Sequence, residues 1–225
     1  MKRIAQFIIP ALFPIVLLLS WLCILLSPVF IHLEYRRPGF PPDPYGFTTD
    51  ERIYWADVSR VYLVSGEDPA YFAQFTLSNG SPLYNERETS HMADVQNLAG
   101  KALLLLAVCG PVFLVACAFL FRKDRDLLRH ALAGGVRVTF LLTVAVIVTI
   151  LLAWDWIFVT FHHIFFTGET WLFPMDNTLI RLFPVEFWQD AVVTAVSGIL
   201  LTSLLVWLTV WLPDWLRHRR NTGHA

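Results

Sequence analysis

The pattern of hydrophobic and polar positions is dominated by four long apolar runs. Each has about twenty residues or more, which is the length of helix that crosses a hydrocarbon layer roughly 30 Å thick. The runs cover residues 7–31, 102–121, 138–161 and 191–212. The first is too long for a signal peptide and lacks a small-residue cleavage site after it, so we interpret it as an uncleaved anchor. The pattern predicts an all-α membrane bundle with four transmembrane helices, forming one integral membrane domain over residues 1–225.

The segment 33–100, between the first two runs, has a pattern of its own. Thr48 and Glu51 have the spacing of a capping box, and an amphipathic stretch follows them. Asn79-Gly80 lies between two short apolar stretches, which is typical of a hairpin turn. A second helix is expected to begin near residue 86 and to continue into the next apolar run. We therefore predict a small α/β extracytoplasmic segment here.

The distribution of charge indicates the orientation in the membrane. The loop between the second and third runs carries five Arg and Lys residues. The segment 33–100 instead holds ten Asp and Glu against five Arg, and the loop 162–190 holds four against Arg181. Because positive loops stay in the cytoplasm, both termini are predicted to be cytoplasmic, and 33–100 and 162–190 extracytoplasmic. The expected location is the plasma membrane.

Composition excludes several other classes of protein. The chain is 56% hydrophobic and 16% charged, and its formal net charge is −1, so nothing electrostatic supports a nucleic-acid partner. Cys23, Cys109 and Cys117 all lie inside apolar runs, where they are typical of small buried hydrophobic residues. No cysteine or histidine spacing of a zinc motif is present, and no metal or cofactor is expected.

A histidine with carboxylates on both sides stands shortly before the second apolar run. Glu88 and Asp94 each lie three residues from His91. On a helix this spacing brings each carboxylate within reach of the imidazole. A carboxylate bonded to one ring nitrogen fixes the tautomer and leaves the other nitrogen as a base. The spacing therefore predicts a candidate catalytic histidine.

Further histidines follow the first and third runs. Asp155 and His162 share one helical stripe at the end of the third run, while His163 points about 100° away. A carboxylate near the end of an apolar span costs a few kcal/mol unless it is paired or hydrated, so Asp155 is expected to pair or to reach the interface. His32, after the first run, is a third candidate. Two spans thus each place a histidine at one membrane boundary.

Three other interpretations of these residues stay open. Histidines at an interface are often plain amphipathic side chains of a non-enzymatic envelope protein. His91, His162, His163 and Glu169 could form a zinc site of a metal-dependent hydrolase, although their spacing is loose. A haem held by two histidines lacks a second pair deeper in the bundle.

Three stretches resemble one known family. They are LYNERETSHMADV (83–95), FHHIFFTGETWLF (161–173) and LIRLFPVEFWQDA (179–191). They resemble the four-span bacterial membrane family that includes the lipoprotein intramolecular transacylase, and the resemblance covers most of the chain. It implies that the sn-2 acyl chain of a diacylated lipoprotein moves to the α-amine of its own cysteine. The two histidines of the family fall on His91 and His162, with His163 as the alternative.

This chemistry needs a base and an oxyanion donor. An α-amine has a pKa of about 7.7–8.0 and must lose a proton before it attacks an ester. A donor to the oxyanion is typically worth roughly 3–4 kcal/mol. We predict His91 as the base, held by Glu88 or Asp94, and His162 as the donor; the reverse assignment and a transient acyl-histidine stay open. The expected partners are a diacylated lipoprotein and membrane phospholipid.

Overall fold

The structure, a computed structural model, describes residues 1–166, 168 and 170–222, and for 212–222 it describes the backbone alone. Within these residues the chain forms seven α-helices and a short 3-10 helix, Pro69–Gln74. The α-helices are α1 (Lys2–Leu25), α2 (Pro28–Arg36), α3 (Thr49–Ser65), α4 (Glu86–Lys123), α5 (Arg125–Phe165), α6 (Thr178–Leu182) and α7 (Val185–Thr222).

Four of these helices are long and apolar enough to cross a membrane. They are α1, α4, α5 and the part of α7 from Val185 to Trp211, which confirms the prediction of an all-α membrane bundle with four transmembrane helices. The 38 residues of α4 span about 57 Å, well beyond the bilayer core. His91 therefore lies roughly 16 Å along the helix before the apolar run that starts at residue 102.

The third predicted span is not one regular helix. Ala153 has φ −155° and ψ 50°, so two helical pieces join there within α5. The segment that carries His162 follows this joint. The chain also divides into two compact units, and Ala153 is the first residue of a stretch that belongs to the second.

The first unit contains Met1–Trp21, Leu105–Leu152 and α7 from Ala195 onward. Its helices approach each other closely at glycines. A Cβ on Gly135 would lie 2.7 Å from Cβ of Phe13, and one on Gly198 would lie 2.2 Å from Cζ2 of Trp21. Such contacts are typical of membrane helices, where small residues let backbones approach.

The second unit contains Leu22–Leu104 and Ala153–Thr194. Its core is built from aromatic and aliphatic side chains, including Tyr62, Leu83 and Leu182, all fully buried. The predicted capping box at the start of α3 is present: Thr48 Oγ1 accepts from the Glu51 amide at 3.2 Å, and the Glu51 carboxylate accepts from the Thr48 amide at 2.8 Å.

The predicted α/β character of the segment 33–100 is not confirmed. The described residues of this segment form no strand, and the stretch around Asn79-Gly80 holds a single isolated bridge between Thr76 and Pro82. The Asn79 side chain accepts from the Ser81 amide at 3.0 Å, which closes a local turn. Two backbone hydrogen bonds flank the bridge, from the Leu77 amide to the Ser81 carbonyl at 2.8 Å and from the Leu83 amide to the Phe75 carbonyl at 3.0 Å.

Candidate active site

Two helices of the second unit bring two histidine rings together. His91 lies in the second turn of α4, and His162 lies in the last turn of α5. Their ring centroids are 6.4 Å apart, and the ring planes differ by 19°. His91 is only 8% exposed, and His162 is half-buried. Two side chains 71 positions apart in the sequence therefore face one another.

Both rings line one cavity of about 180 Å³. Its walls are mainly aliphatic and aromatic, and Arg60 contributes the one cationic side chain among the lining residues. The cavity has room for an ester group and the first atoms of the chains attached to it.

His162 is held in one tautomer by its own helix. Its Nδ1 lies 2.7 Å from the carbonyl oxygen of Phe158. Because a carbonyl oxygen only accepts hydrogen bonds, Nδ1 carries the proton and the neutral ring keeps a lone pair on Nε2. The ring packs on Trp171, with centroids 4.6 Å apart, and on Phe158, at 4.2 Å. The orientation of a potential base is thus fixed from two sides.

His91 has different surroundings. Its ring contacts Phe166 and Phe173, with centroids at 5.0 Å and 5.4 Å. Its Nδ1 is buried and has no hydrogen-bond partner among the described residues. The predicted carboxylate support for this ring is therefore absent at Nδ1. Burial among aromatic rings disfavours a charged imidazolium and favours the neutral ring.

Glu88 is bonded elsewhere. It is only 2% exposed, and its Oε2 accepts from the Asn85 amide at 2.9 Å while Asn85 Oδ1 accepts from the Glu88 amide at 3.0 Å. This is a capping box at the start of α4, and its Asn-x-x-Glu spacing is visible in the sequence. Its Oε1 accepts from the Leu179 amide in the first turn of α6 at 2.8 Å. Glu88 thus joins α6 to α4 beside the cavity.

The other predicted site residues do not join the histidine pair. Asp94 is half-buried and Asp155 is exposed, and neither carboxylate accepts a hydrogen bond from a described imidazole. His163 is exposed and its ring meets the edge of Trp171 at 5.6 Å, while His32 is exposed on α2. Glu169 lies outside the described residues. Within the described part of the chain no group of three or more His, Cys, Asp or Glu is placed to hold a metal ion.

An ion pair fastens α6 to the connector that follows α2. Arg181 Nη2 donates to Asp43 Oδ2 at 2.8 Å, and the guanidinium lies 3.7 Å from the ring centroid of Phe47. Burial by itself would raise the pKa of Asp43, but hydrogen bonds from Arg181 and from the Phe47 amide lower this pKa below its ordinary value. The cavity wall around Leu179 is therefore held by both Glu88 and Arg181.

Two residues that line the cavity were not predicted from the sequence. Trp171 has the pattern of a residue in an interfacial aromatic belt, but it is only 7% exposed and its ring packs against that of His162 at an angle of 33°. Arg60 lies on α3, where its Nε donates to Asp57 at 2.6 Å. Neither has a local sequence signal, because both reach the cavity only through tertiary packing.

The four membrane-length helices and the apolar cavity with two facing imidazoles define a multi-pass membrane protein with a candidate site for acid–base chemistry. Residues 6–188 match the family described as lipoprotein intramolecular transacylase Lit. The chain belongs to this family, and the resemblance noted in the sequence is confirmed. It is therefore a membrane acyltransferase of the lipoprotein intramolecular transacylase type.

Individual proteins are similar to this chain over nearly its whole length. The chain is 29% identical over 208 residues to an uncharacterized protein of Aquifex aeolicus, covering 89% of this chain and 93% of that protein. The solved structure of the membrane-integral transacylase Lit from Bacillus cereus matches with a TM-score of 0.77 at 20% identity, over 99% of this chain and 98% of that one. A variant of that enzyme with one histidine replaced by alanine matches with a TM-score of 0.73 at 18% identity, over 99% and 96% of the two chains. These structures share the fold.

Proposed function

We propose that the cavity of His91 and His162 transfers the sn-2 acyl chain of a diacylglyceryl cysteine to the α-amine of the same cysteine. The amine nitrogen attacks the ester carbonyl carbon, a C–N bond forms, and the bond to the glyceryl oxygen breaks. One proton leaves the amine and one arrives at the glyceryl oxygen, so water is neither consumed nor released. The facing imidazoles in a small apolar cavity are the observation that carries this proposal.

His162 is the base in this scheme, the reverse of the assignment that the sequence favours. The carbonyl of Phe158 keeps the proton on Nδ1, so Nε2 of the neutral ring is left to accept a proton from the amine. The same Nε2–H then delivers the proton to the departing glyceryl oxygen. One nitrogen therefore serves both halves of the reaction.

His91 is the first donor to the oxyanion. Its Nδ1 has no partner among the described residues, so the Nδ1–H tautomer has a hydrogen bond to give to a substrate oxygen. Donors of this kind act when charge develops on the oxygen, and one donor is typically worth roughly 3–4 kcal/mol. Burial keeps the ring neutral and available for this role.

The substrate supplies much of the advantage itself. Amine and ester belong to one molecule, so the enzyme needs to orient them and does not need to bring two reactants together. In this scheme the ester enters the cavity, and the acyl chains extend into the lipid. In this scheme the enzyme lies in the plasma membrane with both termini cytoplasmic and the cavity on the extracytoplasmic side, as the charges of the loops indicate.

The test uses purified protein in lipid, a synthetic diacylated lipopeptide and mass spectrometry of the product. We expect wild type to form an N-acyl, lyso-glyceryl peptide, and His162→Ala to lower kcat by about 100-fold or more, the usual scale for a lost general base. His32→Ala is the matched control, because this histidine is exposed on α2. A His162→Ala enzyme with wild-type kcat would contradict the role assigned to His162.

A further inference from the structure

The indole of Trp171 has a donor without an acceptor. The residue is 7% exposed, and its Nε1 is buried with no hydrogen-bond partner among the described residues. An indole N–H donates and does not accept, so only an incoming acceptor can satisfy it. Leaving such a donor without a hydrogen bond in a protein interior costs free energy. An atom that supplied the missing acceptor would therefore bind favourably.

The position of this donor connects it to the histidine pair. Trp171 lines the same cavity as His91 and His162, and its ring centroid is 4.6 Å from that of His162. His91, which also lines the cavity, carries a second buried nitrogen without a hydrogen-bond partner, its Nδ1. The other such atoms in the described part of the chain belong to side chains outside the cavity lining, namely those of Arg52, Tyr62, Thr139 and Ser203.

We infer that Trp171 is a further catalytic residue, whose Nε1–H donates a hydrogen bond to the carbonyl oxygen of the ester under attack. The inference rests on the proposed function and adds a second donor to His91. A carbonyl oxygen has two lone pairs, so it accepts from both nitrogens at once. Its negative charge grows as the amine attacks, and donors fixed in a cavity that excludes water stabilise that charge most.

Trp171 also has a packing role that must be separated from this one. Its ring is tilted by 33° on His162 and meets His163 edge-on, so removing it would free both side chains. Trp171→Phe keeps an aromatic face against His162 but removes the N–H. A role in packing alone predicts an enzyme close to wild type, whereas a donor role predicts a loss in kcat.

The experiment compares Trp171→Phe with wild type on the synthetic diacylated lipopeptide. We expect kcat to fall by about 100-fold, the scale of one lost oxyanion donor, while KM changes by less than about threefold. Trp156→Phe is the matched control, because Trp156 is 63% exposed on α5 and does not line the cavity. It should keep wild-type kcat. A Trp171→Phe enzyme with kcat within about twofold of wild type would overturn the inference.

A second variant distinguishes the loss of the N–H from a loss of the fold. If Trp171→Phe lowers the thermal midpoint, 3-benzothienylalanine is placed at position 171, because it keeps the size and shape of the indole and replaces the N–H with sulfur. The same fall in kcat supports the donor role, and wild-type kcat refutes it. His162→Ala is measured alongside. Wild-type kcat in His162→Ala contradicts the proposed function, whereas an inactive His162→Ala enzyme beside an active Trp171 variant overturns only the role of Trp171.

Discussion

The two compact units hold their helices together by different means. In the first unit, glycines let helices touch: Gly198 leaves room for the ring of Trp21, whose Nε1 donates to Thr202 at 3.3 Å. In the second unit, buried carboxylates bond to distant segments: Glu88 accepts from the Leu179 amide, and Asp43 pairs with Arg181. Close packing at small residues therefore dominates between the helices of the first unit, whereas directional bonds to buried carboxylates hold the cavity lining of the second.

A third buried carboxylate of the second unit also bonds to a distant segment. Glu34 is buried on α2, and Arg37 bridges it to Asp190 near the start of α7. Burial raises the pKa of Glu34, although the hydrogen bond from Arg37 opposes that rise. The described part of the first unit has an exposed ion pair instead, between Lys2 and Asp124, and exposed pairs contribute little to stability.

The largest loss of stability should come from Glu88→Ala, which removes a buried carboxylate of the second unit. The change leaves the Asn85 and Leu179 amides without their acceptor, and hydrogen bonds to a charged group are each worth about 1.5–3 kcal/mol. We expect the free energy of unfolding to fall by about 3 kcal/mol, with loss of transacylase activity. Thermal and denaturant unfolding in detergent measure it.

Glu88→Gln is the matched control for this change. Its amide oxygen still accepts one hydrogen bond, so it should recover part of the lost stability. Equal thermal midpoints for wild type and Glu88→Ala would show that the carboxylate does not hold α6.

The next effect concerns the glycine contact of the first unit. A Cβ at position 198 would lie 2.2 Å from the Trp21 ring, so Gly198→Ala should cost about 1–3 kcal/mol through overpacking. Gly110→Ala is the control, because its nearest neighbour is Leu106 Cδ1 at 3.8 Å. Alanine favours helix at such a site, so the control should be neutral or slightly stabilising. A thermal midpoint for Gly198→Ala at or above that of Gly110→Ala would contradict the contact.

The smallest effect is a dependence on pH in the second unit. The pKa of Asp43 is lower in the folded protein than in the unfolded chain, so its ion pair with Arg181 stabilises the fold above the ordinary aspartate pKa. That stabilisation is lost as the pH falls through the lowered value. Asp43→Asn should therefore cost about 1 kcal/mol at pH 7 and less below about pH 4. Unfolding curves from pH 7 to pH 3 test it, and a constant difference between variant and wild type would argue against the pair.

Local patterns in the sequence predict the helices but only part of the site. Thr48 and Glu51 have capping-box spacing, and the structure has that box because the contact depends on residues three apart. The chain does reverse at Asn79-Gly80 with one antiparallel bridge, but no strands form there, since short strands need partners that the sequence alone does not supply. The positions of His91 and His162 near the ends of apolar runs make them candidates in the sequence. The hydrogen bonds of neighbouring residues such as Glu88 could not be predicted there.

The amino-acid sequence by itself determined the four membrane-length helices, because twenty apolar residues in lipid must satisfy their backbone groups within a helix. It also placed a histidine near the same end of two of them. Only the tertiary structure decided that Glu88 bonds to Leu179, 91 positions away, and that Trp171 packs on His162. These contacts depend on where loops return in space, and the spacing of residues along a helix does not encode that.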